Sequence, residues 1–468
     1  MYLELDKHNQ YQVAAIDSDG CSITYKKLCE NIKYAGNILL PRSIVFLLCE
    51  NSVGAVNAYL SCIDNKVVPL ILSVKTDKLL LKNLMEIYKP AYLWLPTKVG
   101  FEFSGDVLLE CYGYSLIKTQ NEIYPIFEDL AMLLSTSGST GSPKLVRHSY
   151  KNLISNAKNV AKFFEINSSD RPLVDLPIFY TMGHSVICSH LYAGATLFLT
   201  SLSLLDKKFW DFFEQNRITT FTGVPYSYEI LKRLKFTEKK WPFLKILTQG
   251  GGKLRENLYI EFAEYALKNN IKFIPTFGQT ECTARMAYLS PDKALKKISS
   301  IGNAIPEGKL FLFDSDEKII TGNNIEGELG YKGPNVTLGY AENIEDLRKG
   351  DEWNGKILTG DIAIRDDDDC YYIIGRKKRF LKLFGYRVSL DQCEKLIKNE
   401  FNIECVCVGD DAVMLVYIEE DIDLNIIKRY LSEKTGIVIT AFKVIKIPNI
   451  PRNEYGKIEY RKLNEREN

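Results

Sequence analysis

A hydroxyl-rich loop with one lysine is the first part of the chain whose residue types suit chemistry. The stretch LLSTSGSTGSPKL (133–145) follows an apolar run and places Gly138 and Lys144 six residues apart, as in phosphate-binding P-loops. Pro143 and Leu145 break the rest of that pattern, because a P-loop needs glycine before the lysine and Ser or Thr after it. The hydroxyls, the glycine backbone and the ammonium suit a phosphate, but a polar linker would have the same composition. The loop therefore predicts either a different phosphate grip or a linker.

Further segments of small, polar and charged residues follow the loop along the chain. They are LTQGGGKL (247–254), TFGQTECTARM (276–286), GELGYKGPNVTLGY (327–340), LTGDIAIRDDDDCYYIIGRKKRFLKLFGYRV (358–388) and PRNEYGKI (451–458). In residue types and in order, this series resembles the motifs of the acyl-adenylate-forming superfamily. Its members include acyl-CoA synthetases, adenylation domains of peptide synthetases and firefly-type luciferases. The resemblance runs from about residue 130 to 460 and is closest to the acyl-CoA synthetases.

The resemblance implies a binding site for ATP. The phosphate loop, implied to hold the outgoing pyrophosphate, would consist of Thr136, Ser137, Gly138, Ser139, Thr140, Gly141 and Lys144. The adenosine would be bound by Gly250, Gly251, Phe277, Gly278, Asp361 and Arg376. Within this set, Phe277 resembles the ring that stacks on adenine, Asp361 the carboxylate that accepts from the ribose hydroxyls, and Arg376 an arginine near ribose and phosphate.

Three residues are implied to take part in the first half-reaction. Thr280 resembles the donor to the α-phosphate, and Glu281 the carboxylate that holds Mg²⁺, a hard cation that prefers oxygen ligands. Lys457 resembles the lysine that reaches the α-phosphate and the substrate carboxylate from a small domain. A positioned ammonium opposes the charge that develops on phosphate oxygens. Taken alone, GQTE (278–281) also fits the start of a helix.

The second half-reaction is implied to use the last part of the chain. Lys378 matches the hinge about which the small domain swings between the two steps. The swing would bring Lys382, Gly385 and Arg387, which match the segment lining the thiol's approach, to the active site. One site could thereby run two chemistries.

The predicted acid pocket departs from the family pattern. In the stretch 176–197, Met182 lies near the place where amino-acid-activating domains have an aspartate, so an α-amino acid would lack its usual partner. Tyr180 stands where many acyl-CoA synthetases have histidine. His184 is expected either to touch the substrate or to be a hydrogen-bonded structural residue. Arg285 could pair with a second carboxylate or phosphate of the substrate, or lie on the surface.

The elements that must position these residues follow from the apolar pattern. The apolar run at 43–51 predicts a strand, and residues 52–65 predict a helix capped by Ser52. Such alternation through residue 350 favours α/β architecture with largely parallel sheets. From near residue 357 a period-two pattern predicts hairpins and then a small α+β unit. We therefore expect a large α/β domain with several sheets (1–376) and a small mobile α+β domain (377–468).

Composition limits the partners of the chain. Its 468 residues carry 60 basic and 59 acidic side chains, so no net charge favours nucleic acid or an anionic membrane. The apolar runs are shorter than the roughly 20 residues that span a bilayer. The start MYLELDKHNQ lacks the features of a secretory signal, and eleven cysteines are typical of a reducing compartment. We expect a cytoplasmic protein without nucleic acid partners or membrane insertion.

The predicted function is that of an ATP- and Mg²⁺-dependent carboxylate ligase. It would activate an organic acid as acyl-AMP, release pyrophosphate and pass the acyl group to a thiol, with coenzyme A as the leading acceptor. The alternatives are loading of a phosphopantetheine carrier protein, acylation of an amine, and a degenerate nucleotide-binding scaffold.

Overall fold

The computed structural model describes residues 1–100, 103–135, 144–377, 379–383, 386–410, 412–453, 456 and 458–464. Of these, the side chains at 380, 382, 386, 387, 461 and 464 are left out of the description. The chain folds as two compact units. The first unit comprises Met1–Lys309 and Tyr331–Ile357, and the second comprises Leu310–Gly330 and Leu358–Asn468.

The predicted boundary between residues 376 and 377 lies within the second unit. Strands from residues 309–332 and 356–376 share one sheet, which explains why these segments group together. The division into functional domains at residue 376 stays a prediction.

The helices begin where polar caps or turns precede amphipathic segments. At the predicted start of the second helix, Ser52 Oγ accepts a hydrogen bond from the Ala55 amide at 3.3 Å, which confirms the predicted cap. The α-helices of the described residues are α1 Tyr25–Gly36, α2 Val53–Asp64, α3 Lys78–Tyr88, α4 Thr97–Gly100, α5 Tyr150–Phe164, α6 Thr181–Tyr192, α7 Lys207–Gln215, α8 Pro225–Arg233, α9 Glu256–Lys268, α10 Leu390–Phe401, α11 Leu424–Thr435 and α12 Tyr460–Asn464. None of them combines the length and apolar character needed to cross a bilayer.

The strands are mostly short and rich in apolar residues. In the described residues they are β1 Val13–Asp17, β2 Ser22–Thr24, β3 Ile44–Cys49, β4 Val68–Ser73, β5 Tyr92–Pro96, β6 Asp106–Cys111, β7 Tyr114–Lys118, β8 Leu130–Ser135, β9 Leu145–Ser149, β10 Leu173–Val174, β11 Leu197–Leu199, β12 Thr220–Gly223, β13 Ile246–Gln249, β14 Lys272–Phe277, β15 Ala287–Tyr288, β16 Asn303–Ala304, β17 Lys309–Phe313, β18 Gly327–Lys332, β19 Tyr340–Ala341, β20 Lys356–Arg365, β21 Tyr371–Arg376, β22 Phe380–Leu383, β23 Tyr386–Ser389, β24 Cys405–Gly409, β25 Met414–Ile418 and β26 Phe442–Lys446.

The largest sheet of the described residues has eight strands in the order β19-β9-β8-β4-β3-β5-β7-β6. Its central strands β8, β4, β3 and β5 run parallel, and antiparallel strands flank them. All six residues of β3 are buried, and alternate side chains enter two different apolar clusters. A parallel strand covered on both faces has this pattern. The predicted α/β class is therefore confirmed.

The sheet that positions the candidate site has the strand order β12-β13-β14-β15-β16. Strands β12, β13 and β14 are parallel, so their carboxyl ends lie at one edge. The glycines after β13 start at that edge, and the TFGQTE segment begins there with the last two residues of β14. In open α/β sheets this edge is the usual place for ligands. A third sheet of the first unit has the order β10-β11-β1-β2.

The second unit contains the predicted hairpins and a small α+β region. Strands β20 and β21 pair antiparallel around the acidic turn 366–369, and β22 pairs antiparallel with β23. Beyond them, β24, β25 and β26 form a sheet, against which α10 and α11 pack. Cys407 is fully buried in β24, and among the described residues no group of three or more His, Cys, Asp or Glu could hold a metal ion.

Candidate active site

The hydroxyl-rich loop joins two neighbouring strands of the large sheet. Ser135 at the end of β8 pairs with Leu145 at the start of β9, and the two strands run antiparallel. A P-loop instead connects a strand to a helix, so the topology excludes a damaged P-loop. Residues 136–143, with the predicted phosphate ligands Thr136 to Gly141, lie outside the described residues, and their role stays a prediction.

Lys144 follows this loop and faces an acidic and aromatic neighbourhood. Its Nζ lies 3.0 Å from Glu342 Oε1 and 5.5 Å from the centre of the Tyr340 ring. Both charged side chains are more than half exposed, so the ion pair contributes little to stability. Lys144 can therefore leave Glu342 for a phosphate at small cost.

The loop between β14 and β15 carries several predicted site residues and folds back tightly on itself. A Cβ atom on Gly278 would lie 1.4 Å from the Ala284 carbonyl oxygen, so only glycine fits there. Thr283 and Ala284 have φ angles of 51° and 80°, which non-glycine residues seldom adopt. Strain of this kind persists only when the surrounding structure fixes it.

The segment at 335–337 fixes the β14–β15 loop from outside. The Asn335 side-chain amide donates to the carbonyls of Cys282 and Arg285, both at 2.8 Å. Both the amide and the hydroxyl of Thr337 donate to the Glu281 carbonyl at 3.0 Å. The turn Thr280–Cys282 is thereby held in place.

The Glu281 carboxylate is oriented by a tyrosine 59 residues further along the chain. The Tyr340 hydroxyl donates to Glu281 Oε1 at 2.8 Å. Burial, together with the negative charge of Glu281, raises the pKa of Tyr340, so the hydroxyl keeps its proton. A half-buried, oriented carboxylate suits Mg²⁺, which usually takes one or two protein carboxylates and completes its shell with water and phosphate oxygens. Tyr340 belongs to a segment that sequence analysis singled out without giving this residue a role.

The glycines after β13 lie against residues of the predicted acid pocket. A Cβ atom on Gly250 would lie 2.6 Å from Thr276 Oγ1 and 2.7 Å from Met182 Cε. Gly251 has a φ of 77°, and its Cβ would lie 2.5 Å from the Tyr180 hydroxyl oxygen. The structure thus brings the predicted adenosine-binding glycines beside the predicted acid-binding residues. Phe277, half-buried, ends the neighbouring strand β14.

Tyr180 and Met182 belong to a small apolar cluster at the start of α6. Met182 is buried with Leu176 and Val224, and Tyr180 packs against them. Burial raises the pKa of Tyr180 to about 12, with the positive charge of Arg285 acting in the opposite direction. Tyr180 is therefore a neutral hydroxyl with an apolar ring.

Arg285 is buried, which excludes the surface position that sequence analysis left open. The residue is only 1% exposed, and its Nη1 donates a hydrogen bond to Thr276 Oγ1 at 2.7 Å. The guanidinium carbon lies 5.4 Å from the centre of the Phe164 ring. Burial lowers the pKa of Arg285 to about 10, so it remains a cation at neutral pH.

His184 lies in a buried polar cluster with Tyr59 and Cys188. Its Nε2 is 2.7 Å from the Tyr59 hydroxyl oxygen and 3.5 Å from Cys188 Sγ. Burial lowers the pKa of His184 to about 3, so the ring is neutral. These partners favour the structural role of the two considered, and a contact with substrate stays a prediction.

In the second unit, Asp361 and Arg376 lie opposite each other on β20 and β21. Arg376 Nε donates to Asp361 Oδ1 at 3.0 Å, and Asp361 is 2% exposed. The backbones of Lys382 and Arg387 are paired in the β22–β23 hairpin. Lys378, Gly385 and Lys457 lie outside the described residues, so the hinge and lysine predictions stay predictions.

Comparison with known proteins decides the family. The family model described as AMP-binding enzyme matches residues 5–341. The chain belongs to this family. The match confirms the predicted resemblance and covers the sheet edge with Gly250, Phe277 and Glu281.

Relatives of this AMP-binding enzyme include several ligases. It is 27% identical over 365 residues to oxalate–CoA ligase of Arabidopsis thaliana, covering 74% of this chain and 69% of that protein. It is 26% identical over 350 residues to 2-succinylbenzoate–CoA ligase of Listeria innocua, covering 72% and 70% respectively. Among solved structures, O-succinylbenzoate coenzyme A synthetase of Bacillus subtilis in complex with AMP has a TM-score of 0.79 at 20% identity, covering 99% of this chain and 97% of that chain.

Proposed function

We propose that this AMP-binding enzyme is an ATP-dependent acid–thiol ligase that forms an acyl-adenylate. The observation that carries the proposal is the β14–β15 loop. It holds the oriented Glu281 carboxylate, suited to magnesium, and Arg285, which donates to Thr276 beside the Tyr180 and Met182 pocket. A metal–phosphate site and an acid pocket next to each other are what adenylation of an acid requires.

The first half-reaction needs charge control more than a base. A carboxylic acid has a free pKa near 4 and is already an anion at neutral pH. One carboxylate oxygen bonds to the α-phosphorus of ATP, and the bond from that phosphorus to the bridging oxygen breaks, so pyrophosphate leaves. Glu281 would hold Mg²⁺, which would supply positive charge to the phosphates. Thr280 and Lys457 are proposed to donate to the α-phosphate, as the family resemblance implies.

In the second half-reaction the acyl group passes to a thiol. The sulfur bonds to the acyl carbon, the bond from that carbon to the AMP oxygen breaks, and the thiol proton leaves to solvent. The relatives named as CoA ligases support coenzyme A as the acceptor. Lys378 is proposed as the hinge, and Lys382, Gly385 and Arg387 as the lining of the thiol's approach. Loading of a phosphopantetheine carrier protein or acylation of an amine would use the same adenylate.

The relatives leave the acid open. Their names cover oxalate, 2-succinylbenzoate and indoleacetate, which differ in size and in the number of carboxyl groups.

The eleven cysteines are free thiols, which supports the proposed reducing, cytoplasmic compartment. We also propose that the enzyme has no nucleic acid partner.

The direct test is ATP–pyrophosphate exchange with purified enzyme, Mg²⁺ and a panel of organic acids. We expect acid-dependent exchange with AMP as the product, and Lys457→Ala should lower its rate by about 10² to 10³. Lys434→Ala, which changes an exposed lysine of α11, is the matched control. Formation of ADP and orthophosphate would refute the proposal.

The acceptor is decided by a second assay. The best acid is incubated with ATP and, separately, with coenzyme A, a phosphopantetheinylated carrier protein or an amine. We expect an acyl thioester of coenzyme A, and its absence beside an efficiently acylated carrier or amine would reassign the acceptor.

A further inference from the structure

The guanidinium of Arg285 is buried, and most of its hydrogen-bond donors have no partner among the residues that the structure describes. Nη1 donates to Thr276 Oγ1 at 2.7 Å, whereas Nε and Nη2 have no hydrogen-bond partner among the described residues. Those two nitrogens carry three of the five N–H donors of a guanidinium. Arg285 is only 1% exposed, so bulk water does not replace the missing partners.

The positive charge of Arg285 also lacks a counter-ion in the described part of the chain. No Asp or Glu described by the structure forms an ion pair with it. The nearby titratable groups Tyr180 and His190 are both neutral at pH 7, since burial raises the pKa of the former and lowers that of the latter. An isolated buried cation is costly, and proteins normally pair such charges. The charge therefore calls for an anion that the described residues do not supply.

The position of Arg285 indicates which anion can reach it. Thr276 Oγ1, its hydrogen-bond acceptor, is also the atom that a Cβ on Gly250 would approach to 2.6 Å. Met182 Cε lies equally close to that Cβ position, at 2.7 Å. The guanidinium is thus next to the wall formed by Met182 and the glycines, which is the proposed acid pocket.

We propose that the acid substrate carries a second carboxylate and that Arg285 binds it, so that the enzyme activates a dicarboxylic acid. This inference rests on the proposed function, because it names the substrate class of that same pocket. The guanidinium fork matches a carboxylate in two parallel hydrogen bonds, and Nε and Nη2 form one edge of that fork. Arg285 is a specificity-determining residue in this scheme.

The reacting carboxylate is a poorer candidate for the same arginine. It must present an oxygen to the α-phosphorus, and a bidentate pair with Arg285 would occupy its oxygens and lower their nucleophilicity. A second carboxylate satisfies Arg285 while the first remains available for reaction.

The test compares acids that differ only in the second carboxyl group. The pairs are malonate with propanoate, succinate with butanoate, glutarate with pentanoate, and phthalate with benzoate, each measured as kcat/KM in ATP–pyrophosphate exchange. We expect at least one dicarboxylate to exceed its monocarboxylate partner by about 100-fold or more, the scale of losing a bidentate pair from a buried site.

Two substitutions test the residue itself. Arg285→Met should remove the preference by lowering kcat/KM for the dicarboxylate about 100-fold while leaving the monocarboxylate within about threefold. Arg285→Lys keeps the charge but loses the fork, so it should retain part of the preference. Arg233→Met, at the exposed end of α8, is the matched control, and circular dichroism verifies that each variant is folded.

The outcomes separate this inference from the proposed function. Wild-type preference for monocarboxylates, or an equal loss for both members of a pair in Arg285→Met, would overturn the dicarboxylate inference and leave the ligase intact. No exchange with any acid, with ADP and orthophosphate formed instead of AMP, would overturn both.

Discussion

Two arginines of the first unit, Arg147 and Arg285, are equally buried but differently partnered. Arg147 is 0% exposed, and its guanidinium donates to the carbonyls of four residues and to the Glu352 carboxylate; the four are Leu338, Tyr340, Lys349 and Gly350. Arg285 is 1% exposed, and in the described part of the chain its guanidinium makes one hydrogen bond, to Thr276. Burial lowers the pKa of both, while Glu352 acts against this for Arg147.

This difference indicates a structural role for Arg147 and a ligand-binding role for Arg285. Arg147 ties β9 to the segment 338–352, so its donors are used inside the chain. Arg285 lies in a strained loop that follows the carboxyl end of β14, one of three parallel strands, and ligands of α/β proteins bind at such ends. Burial of an arginine therefore says little about its role until its hydrogen bonds are counted.

The largest expected effect is on stability at Arg147. Arg147→Met should lower the free energy of unfolding by about 3–5 kcal/mol, because four backbone carbonyls lose their donors, each hydrogen bond being worth about 1 kcal/mol. Urea denaturation of the ligand-free enzyme measures it. A loss below about 1 kcal/mol would remove the contrast with Arg285.

A second prediction concerns the stability at low pH, because two buried histidines stay neutral in the folded chain. Burial lowers the pKa of His148 and of His184 to about 3, against about 6.5 in an unfolded chain. Between these values the unfolded chain binds protons that the folded chain does not, so stability should fall as the pH drops below 6.5. At pH 5.5 the two histidines together should cost about 2–3 kcal/mol.

Urea denaturation at pH 7.5, 6.5 and 5.5 tests this dependence. His184→Gln should have a shallower pH dependence than wild type. An unchanged slope would mean that His184 is not a neutral buried ring in the folded enzyme.

Replacement of Arg285 should not lower the free energy of unfolding, in contrast to replacement of Arg147. Arg285→Met removes a buried charge that has no counter-ion among the described residues, so we expect the free energy of unfolding to stay constant or to rise by about 1–2 kcal/mol. The measurement is the same urea denaturation, run beside Arg147→Met. If both variants lose stability equally, Arg285 has internal partners and the comparison fails.

The smallest effect is expected at Glu281, whose carboxylate accepts a hydrogen bond from Tyr340 and is proposed to bind Mg²⁺. Tyr340→Phe removes one hydrogen bond from Glu281, worth about 1 kcal/mol, so half-saturation by Mg²⁺ should require about fivefold more metal. A magnesium titration of pyrophosphate exchange measures this, and Tyr34→Phe, at an exposed tyrosine, is the control. An unchanged requirement would show that Tyr340 does not position the carboxylate.

Local signals in the sequence predicted much of the fold. The apolar run of β3, the Ser52 cap of α2 and the β20–β21 hairpin all arise from neighbours in the chain. The hydroxyl-rich loop was visible as well, but its composition did not reveal that it connects β8 to the antiparallel strand β9. Pairing of strands depends on tertiary contacts that local composition does not encode.

The sequence named candidate site residues but not the residues that contact them. Glu281 and Arg285 were found from their motif, whereas the Tyr340 hydroxyl on Glu281 comes from 59 residues away. The burial of Arg285 depends on Phe164 and Thr276, which lie in α5 and β14. The sequence around His184 likewise did not predict its hydrogen bond with Tyr59, which lies in α2.

The close approach of Gly278 to Ala284 has a practical side for anyone who wishes to redesign this enzyme. Because the two limbs of the β14–β15 loop touch, length changes on the Arg285 limb would displace the Glu281 limb as well. Grafting a relative's loop to import new acid selectivity would therefore also disturb Glu281, the proposed magnesium ligand. Single side-chain exchanges at residue 285 are the safer route to altered selectivity.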